Sequence, residues 1–498
     1  MVGVQGVDFH DPDKYTKQDF ERPEKRTNVT WFFPKVCAFQ DDLKSIDQRN
    51  AYFDYLNHAS HPENTKILLY LHIPFCEAFC NFCACFKESS MKWQGERRER
   101  FVAAMVKEIK RIGSTPYFDG SKIAYVQFGG GTPSSLDRKS MQTIIEAVYK
   151  YFDLSSVEGI SFEGSPLGLS DYDYILMLKD LGITRLSFGV QTLNPTLRRN
   201  LTIKASVEQV YQTAENINKS GIKSFALDLM YNLPQQTTEI LDADIKGICT
   251  ELEPTFVQTY RFNQWEGTRL DGNIRGGKLG EEKPSGSIEW DQYKYIHENL
   301  ARYGYGNQLL INFYSRMEDP GHIGLGHACG GNAYRGSYTI GIGPGAESYM
   351  GERSWRNHTD VNEWVADVEN DVIPVRQGRV SHEDVVEDRA MVFFPVFGEI
   401  KKYDIANLNK YRNNIEWLKS KHYLVETEES LILTEIGRQM AGNIAFLFYS
   451  EEEKARVRRT MYLSIKNKKN PFHQDKTSMP KGSLLSKMKE KNINIEVA

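Results

Sequence analysis

Long apolar runs are missing from this sequence. None approaches the about 20 residues that a membrane span needs, so no integral membrane helix is expected. Cysteine is scarce, 7 in 498 residues, too few and too unevenly spaced for the disulfide framework of a small secreted module. An excess of one charge is missing as well. The 62 Lys and Arg stand against 66 Asp and Glu, a net charge of −4, which excludes a general nucleic-acid coat. The stretch Met1–Lys17 is polar and acidic, unlike a secretory leader. What is present, 40% hydrophobic and 12% aromatic residues, suffices for packed interiors. The expectation is a cytoplasmic globular enzyme or binding protein. At this length it needs one large domain and one or two smaller ones.

Residues 1–65 read as an irregular arm centred on Trp31-Phe32-Phe33-Pro34. From residue 66 to about 310 short apolar runs alternate with helical patterns. The runs are Ile67–Ile73, Ile123–Phe128, Gly159–Glu163, Thr184–Val190, Lys223–Met230 and Phe256–Tyr260. The helical stretches are Arg97–Gly113, Met141–Phe152, Tyr172–Leu181, Val207–Ser220, Thr238–Leu252 and 290–303. Glycine and proline punctuate the joins. This is the pattern of βα units on a parallel sheet, an α/β fold that forms a partial or full (β/α) barrel with its active site at the strands' C-terminal ends. A Gly-rich segment over 311–375 completes the site. A small α/β cap follows over 376–450, with a β pair near Tyr423–Leu433. Residues 451–498 form a basic tail, partly disordered in expectation.

Chemistry concentrates in Cys76-Glu-Ala-Phe-Cys80-Asn-Phe-Cys83-Ala-Cys85. Three thiolates on one loop suit three irons of a cubane cluster and leave a fourth iron open to a small ligand. The alternative is structural zinc, with Cys85 or His72 as a fourth ligand. Cys37, Cys249 and Cys329 are isolated and read as free thiols.

The cysteine loop follows the first strand of the βα series, and this arrangement resembles the radical S-adenosylmethionine (SAM) superfamily. The sequence is similar in particular to the HemN-like branch, the family of oxygen-independent coproporphyrinogen III oxidase. The motifs that carry the resemblance are Tyr70-Leu-His-Ile-Pro-Phe-Cys76, Cys80-Asn-Phe-Cys83, Phe128-Gly-Gly-Gly-Thr-Pro133, Phe162-Glu-Gly-Ser-Pro166, Arg185-Leu-Ser-Phe-Gly-Val-Gln191, Asp228-Leu-Met-Tyr-Asn-Leu-Pro234 and Gly341-Ile-Gly-Pro-Gly-Ala346. They occur in order along most of the chain. The resemblance implies a [4Fe-4S] cluster on Cys76, Cys80 and Cys83 and two SAM molecules. Tyr70, Gly130 and Glu163 correspond to contacts of the first. Phe82, Gly131, Thr132, Gln191 and Asp228 correspond to contacts of the second. Departures stand beside the matches. The family's Arg twelve residues after the Gln is Ile203 here, with Lys204 next to it. Asn232 replaces a usual Gly, Ser165 an Asp or Asn, Ala84 a Gly, and Glu347 an apolar residue or His.

The chemistry implied begins when a reduced cluster gives one electron to SAM and releases a 5′-deoxyadenosyl radical. In the oxidase that radical takes hydrogen from a propionate side chain. In class C methyltransferases it takes hydrogen from the methyl group of the second SAM, and the resulting carbon adds to an sp2 centre. The departures, the divergent segments Gln258–Thr268 and Gln308–Met317, and the basic tail favour the methyltransferase class. The naphthoquinone ring of menaquinone is the leading substrate. Trp31, Phe33, Phe82, Phe262, Trp265 and Tyr314 are candidates to stack on such a planar ring. Tyr314, His327 and Glu266 are candidates for the final proton. A haem-modifying enzyme and a non-catalytic haem chaperone are further readings of the same fold. An electron donor such as flavodoxin or ferredoxin is the expected partner. Lys454–Lys469 and Lys481–Lys491 offer a possible peripheral membrane contact.

Overall fold

The structure is a computed structural model that describes residues 41–43, 45–58, 65–83, 85–262, 268–279, 286–310, 312–316, 338–381, 383–450 and 453. Its centre is six parallel strands: β1 (Ile67–Ile73), β2 (Ile123–Gly130), β3 (Gly159–Gly164), β4 (Arg185–Gln191), β5 (Ser224–Tyr231) and β6 (Phe256–Arg261). These lie within about one or two residues of the runs expected from the sequence. A seventh parallel strand, Tyr338–Ile342, pairs with β1 on its other edge. Antiparallel strands extend both flanks to a thirteen-stranded sheet. The result is a mixed α/β fold with a large parallel sheet. Among the described residues its two outermost strands do not pair with each other, so it is a partial barrel.

The register explains how a run of apparently buried strands makes a site. Tyr70 lies opposite Gln127, Gln127 opposite Ser161, Glu163 opposite Ser187, Gly189 opposite Asp228 and Asp228 opposite Gln258. Side chains alternate faces along a strand, so these polar residues share the inner face. Leu69, Leu71, Val126, Phe128, Ile160, Phe162, Leu186, Phe188, Leu227, Leu229 and Val257 take the other face and join the main core with the helices. A representative helix, Val207–Ser220, begins with a reciprocal capping box between Ser206 and Gln209 and ends at Gly221 in a left-handed conformation, φ 80°. It turns Val210, Ala214 and Ile217 onto the sheet.

Several elements differ from the sequence reading. Ile46–His58, inside the expected irregular arm, is a helix. Only Leu56 is fully buried, so the apolar stripe that announces a helix is narrow. Its start is nonetheless fixed by Ser45 and Gln48, which bond each other's backbone N–H groups. Arg49 bonds Asp367 at 2.9 Å, and Tyr52 packs over Gly378. Val375–Val380 is a strand of the main sheet, although residues 376–380 are expected from sequence in the α/β cap. The cap sheet has three strands, Glu399–Lys401, Leu424–Glu426 and Ser430–Leu433, around its own core. Glu453, assigned to the tail from sequence, is buried and grips Arg379 through both carboxylate oxygens. Trp31, Phe33, Cys37, Ala84, Trp265, Glu266, His327, Cys329, Lys454–Lys469 and Lys481–Lys491 lie outside the described residues. No helix among the described residues is long and apolar enough to cross a membrane.

Candidate functional site: the cysteine loop and the sheet mouth

Pro74 ends β1 and releases the chain into the cysteine loop. The loop is closed at its base by a short parallel bridge, Phe75 opposite Glu88 and Cys76 opposite Ser89, and by Glu88 N–H donating to Pro74 C=O at 2.7 Å. Cys76 is buried, and Cys80 and Cys83 are half-buried; none is in a disulfide. Thr132, from the turn after β2, places its hydroxyl 3.5 Å from Cys76 Sγ. Lys87 Nζ donates to the carbonyls of Cys83 and Cys85 at 2.7 and 3.3 Å, and the Cys85 N–H points at Cys83 Sγ at 3.4 Å. Burial pushes the Cys76 thiol up to about 11 and the Cys80 thiol to about 12. Hydrogen bonding from Cys85 pulls Cys83 below the ordinary thiol value.

The glycine turn stands beside this loop. Gly130 has φ 116°, a left-handed backbone that a side chain would strain. A Cβ on Gly131 would meet the Pro74 carbonyl carbon and oxygen at 2.7 Å, so only glycine lets the turn lie against the loop base. The Gly341–Ala346 run approaches from the opposite edge of β1. Gly343 N–H donates to the buried Glu108 at 2.8 Å, and that carboxylate also accepts from Asn357 at 2.7 Å and Trp364 at 3.2 Å. Burial pushes Glu108 up to about 7.

Tyr70 and His72 lie on the inner face. The Tyr70 hydroxyl is 3.3 Å from His72 Nδ1, and the imidazole stacks on Phe86. Burial, reinforced by Arg356, pushes His72 down to about 3, so it is neutral near pH 7. Its Nε2 is buried without a hydrogen-bond partner in the protein. Glu163, at the end of β3, accepts from Gln127 Nε2 at 2.6 Å, and burial raises its pKa. Asp228 on β5 is pushed up to about 8 by burial and then by the charge of Glu163, with Arg185 opposing. Arg185 stacks over Phe256 at 4.8 Å.

Gln191 ends β4 in a left-handed conformation, φ 65°, at a register shift. Its side-chain amide folds back over Gly189 into the space a Cβ there would fill. Two residues outside the sequence motifs hold this turn. Arg198 donates to the carbonyls of Val190 at 2.8 Å and Thr192 at 2.9 Å, one on each side of Gln191, and to Ala205. Asp244 accepts from the Thr192 hydroxyl and Leu193 N–H, both at 2.7 Å. The sequence carried one signal for Asp244, a carboxylate on the apolar stripe Leu241, Ile245, Ile248.

Phe82 and Ile203 pack together against Leu197, Leu201, Met230, Leu233, Phe262 and Leu270. Ile203 thus serves an apolar cluster beside the cysteine loop, and Phe262 is buried in the same cluster instead of offering a free ring face. Asn232 adopts φ 61°, a conformation open to Gly and tolerated by Asn. Glu347 faces Arg356 across the strand pair. Ser165 donates to Glu77 at 3.2 Å. Tyr314 is fully buried and lies opposite Val257, hence on the outer, core-packed face. That position separates it from the inner-face groups Glu163 and Asp228.

A parallel sheet with a three-cysteine loop after its first strand and a Gly-Gly-Gly-Thr turn after its second defines a radical SAM protein. The signature of the radical SAM superfamily matches residues 70–246. The heme chaperone HemW of Synechocystis sp. is 30% identical over 328 residues, covering 63% of this chain and 74% of that protein. The oxygen-independent coproporphyrinogen III oxidase of Escherichia coli is 24% identical over 433 residues, covering 84% and 91%. The solved structure of the Escherichia coli coproporphyrinogen III oxidase HemN superposes with a TM-score of 0.70 at 20% identity, covering 85% of this chain and 97% of that one. The chain belongs to the radical SAM superfamily, and its relatives there are of the HemN/HemW type.

Membership implies a [4Fe-4S] cluster and SAM. The residues present fit both. Three free thiols stand on one loop at the C-terminal edge of the sheet. A side-chain-free turn lies against that loop. A buried, unpartnered imidazole nitrogen and two half-buried carboxyl groups face the same region.

Proposed function

We propose that this protein is a radical SAM methyltransferase that binds two SAM molecules and methylates an sp2 carbon of a planar, apolar ring, the naphthoquinone of menaquinone being the first substrate to test. The observation that carries the reading is the Glu163–Asp228 pair, two half-buried carboxyl groups on one inner face whose pKa values are both raised. Glu163 accepts hydroxyls when ionised, and Asp228, held largely protonated near pH 7, both donates and accepts; either suits a ribose hydroxyl. Two such groups in one mouth call for two nucleoside ligands, and a sulfonium nearby would favour the ionised form of Asp228.

The partly buried Phe82 and Ile203 at the edge of the apolar cluster beside the cysteine loop support a substrate of low charge. Among the described residues, three nearby cations are committed elsewhere: Arg198 to backbone carbonyls, Lys87 to Cys83 and Cys85, and Arg185 to the electrostatics of Glu163 and Asp228. A porphyrinogen bearing several carboxylates asks for cations instead. When bound, the cluster supplies the electron that cleaves the sulfonium carbon–sulfur bond. The chain's own part is to hold. Cys76, Cys80 and Cys83 would ligate, the Gly130–Gly131 turn lets backbone approach the ligand, Glu163 and Asp228 bind hydroxyls, and His72 stays neutral beneath the turn.

Oxidative decarboxylation of coproporphyrinogen III is the second reading, favoured by the likeness to HemN across most of both chains. Anaerobic reconstitution with SAM and dithionite, or with a flavodoxin or ferredoxin as donor, separates the readings. Formation of 5′-deoxyadenosine and S-adenosylhomocysteine, with a menaquinone heavier by one methylene, is the expected result. Carbon dioxide released from coproporphyrinogen supports the oxidase instead. Stable haem binding with no 5′-deoxyadenosine supports a chaperone and overturns both enzymes.

A further inference from the structure

We propose that Thr202 is a positioning residue for the cluster-bearing loop, its hydroxyl acting as a bridge between the Gln191 side of the mouth and the segment that carries Cys80. The proposal rests on membership of the radical SAM superfamily and is independent of which reaction follows.

Thr202 lies just beyond the helix Pro195–Asn200 and has φ 55°. A left-handed backbone is uncommon for any residue with a side chain and is an outlier for a β-branched one. Gly or Asn would adopt it at lower cost. What Thr adds is a hydroxyl in a place glycine leaves empty. That hydroxyl donates to Phe79 C=O at 3.1 Å and accepts from Asn81 N–H at 3.0 Å. Phe79 and Asn81 are the residues on either side of Cys80. The same Asn81 sends its side-chain amide to Asn200 C=O at 2.6 Å and its carbonyl to Leu270 N–H at 2.9 Å.

The turn that holds Thr202 is tied back to the mouth. Ile203 N–H bonds Arg198 C=O at 3.0 Å, and the Arg198 guanidinium clasps the carbonyls on both sides of Gln191. One helix therefore braces Gln191 with its guanidinium and the Cys80 segment with the hydroxyl that follows it. A strained residue at such a junction is retained when the strain fixes a functional geometry.

The test uses the full chain, reconstituted anaerobically and challenged with the iron chelator bathophenanthroline disulfonate, with bleaching of visible absorbance as readout. Thr202→Gly removes the hydroxyl and relieves the backbone. It is expected to release iron about threefold or more faster than the parent, the equivalent of about one lost hydrogen bond, since the Asn81 N–H keeps Leu201 C=O at 3.2 Å. The melting temperature of its iron-free form stays within about 2 °C, because relieved strain offsets lost bonds. Thr202→Ser keeps the hydroxyl and is expected to release iron at the parent rate. The proposal is overturned if Thr202→Gly retains iron as the parent does, or if Thr202→Ser loses it as fast as the glycine variant. It is overturned equally if the iron-free glycine variant melts lower by more than that range, which marks a general structural role.

Discussion

Glu163 and Asp228 point to one inner face across a strand that sets Ser187 beside Glu163 and Gly189, with the Gln191 amide folded over it, beside Asp228. Burial and the charge of Glu163 together hold Asp228 up at about 8, against an ordinary Asp value of about 3.9. The folded protein therefore binds this proton more tightly than the unfolded chain. The stability it contributes is fully present below the unfolded pKa and is lost as pH rises toward 8. Asp228→Asn removes the titration. Its melting temperature relative to the parent is expected to rise from pH 5 to pH 8 in ligand-free protein, while SAM binding weakens. Scanning fluorimetry across that window checks it, and an identical difference at both pH values would falsify the assignment.

The thiols make a sharper contrast. Cys80→Ser is expected to lower iron content after reconstitution at least about tenfold, since a three-ligand cluster loses one of its anchors. Cys249 is buried near the end of the helix Thr238–Gly247, in the main core. Cys249→Ala should leave iron unchanged and cost about 1 kcal/mol or less in stability. Iron assay and far-ultraviolet dichroism on both variants distinguish ligand loss from misfolding.

Much of this was readable in the sequence, for physical reasons that differ by element. The six parallel strands were legible because short apolar runs alternate with helical patterns, three of them stopping directly at Pro74, Gly129 and Gly164. The cysteine loop was legible because its three thiols are local in the chain. The polarity of the inner face was partly hidden, since Gln127, Glu163 and Asp228 sit singly within otherwise apolar runs and only the register aligns them. The helix Ile46–His58 escaped because it buries little beyond Leu56, although Ser45 and Gln48 already spelled its start. Val375–Val380 escaped because Arg376, Gln377 and Arg379 give it no apolar alternation; pairing with Arg353–Asn357 makes it a strand. Arg198 and Asp244 escaped because their task depends on a backbone conformation at Gln191 that no spacing rule reveals.

Glu108 tests how the Gly341–Ala346 run is held. Its carboxylate accepts from Gly343 N–H, Asn357 and Trp364. A glutamine there has one acceptor oxygen and turns an NH2 group toward a donor. Glu108→Gln is expected to lose about 1–3 kcal/mol, the cost of leaving a buried donor unsatisfied. Denaturant titration measures the loss. Calorimetry should show weaker SAM binding as well, because Gly343 packs against the His72 backbone. Unchanged binding with lowered stability would mean that the run's position does not depend on this carboxylate.

Arg198 tests whether the Gln191 turn is built or intrinsic. Its guanidinium reaches the carbonyls of Val190, Thr192 and Ala205, which a planar fork can do and an ammonium on a flexible stem cannot do at once. Arg198→Met takes the guanidinium from all three oxygens, though Val190 C=O keeps the Thr192 N–H, and is expected to cost about 1–3 kcal/mol in denaturant titration. Arg198→Lys should recover less than half of that. Gln191, freed from its left-handed backbone, no longer folds its amide over Gly189, so SAM affinity falls in both variants. If Arg198→Lys restores stability and affinity together, charge near Cys80 rather than the clasp is what matters, and the framing role assigned to Arg198 is wrong.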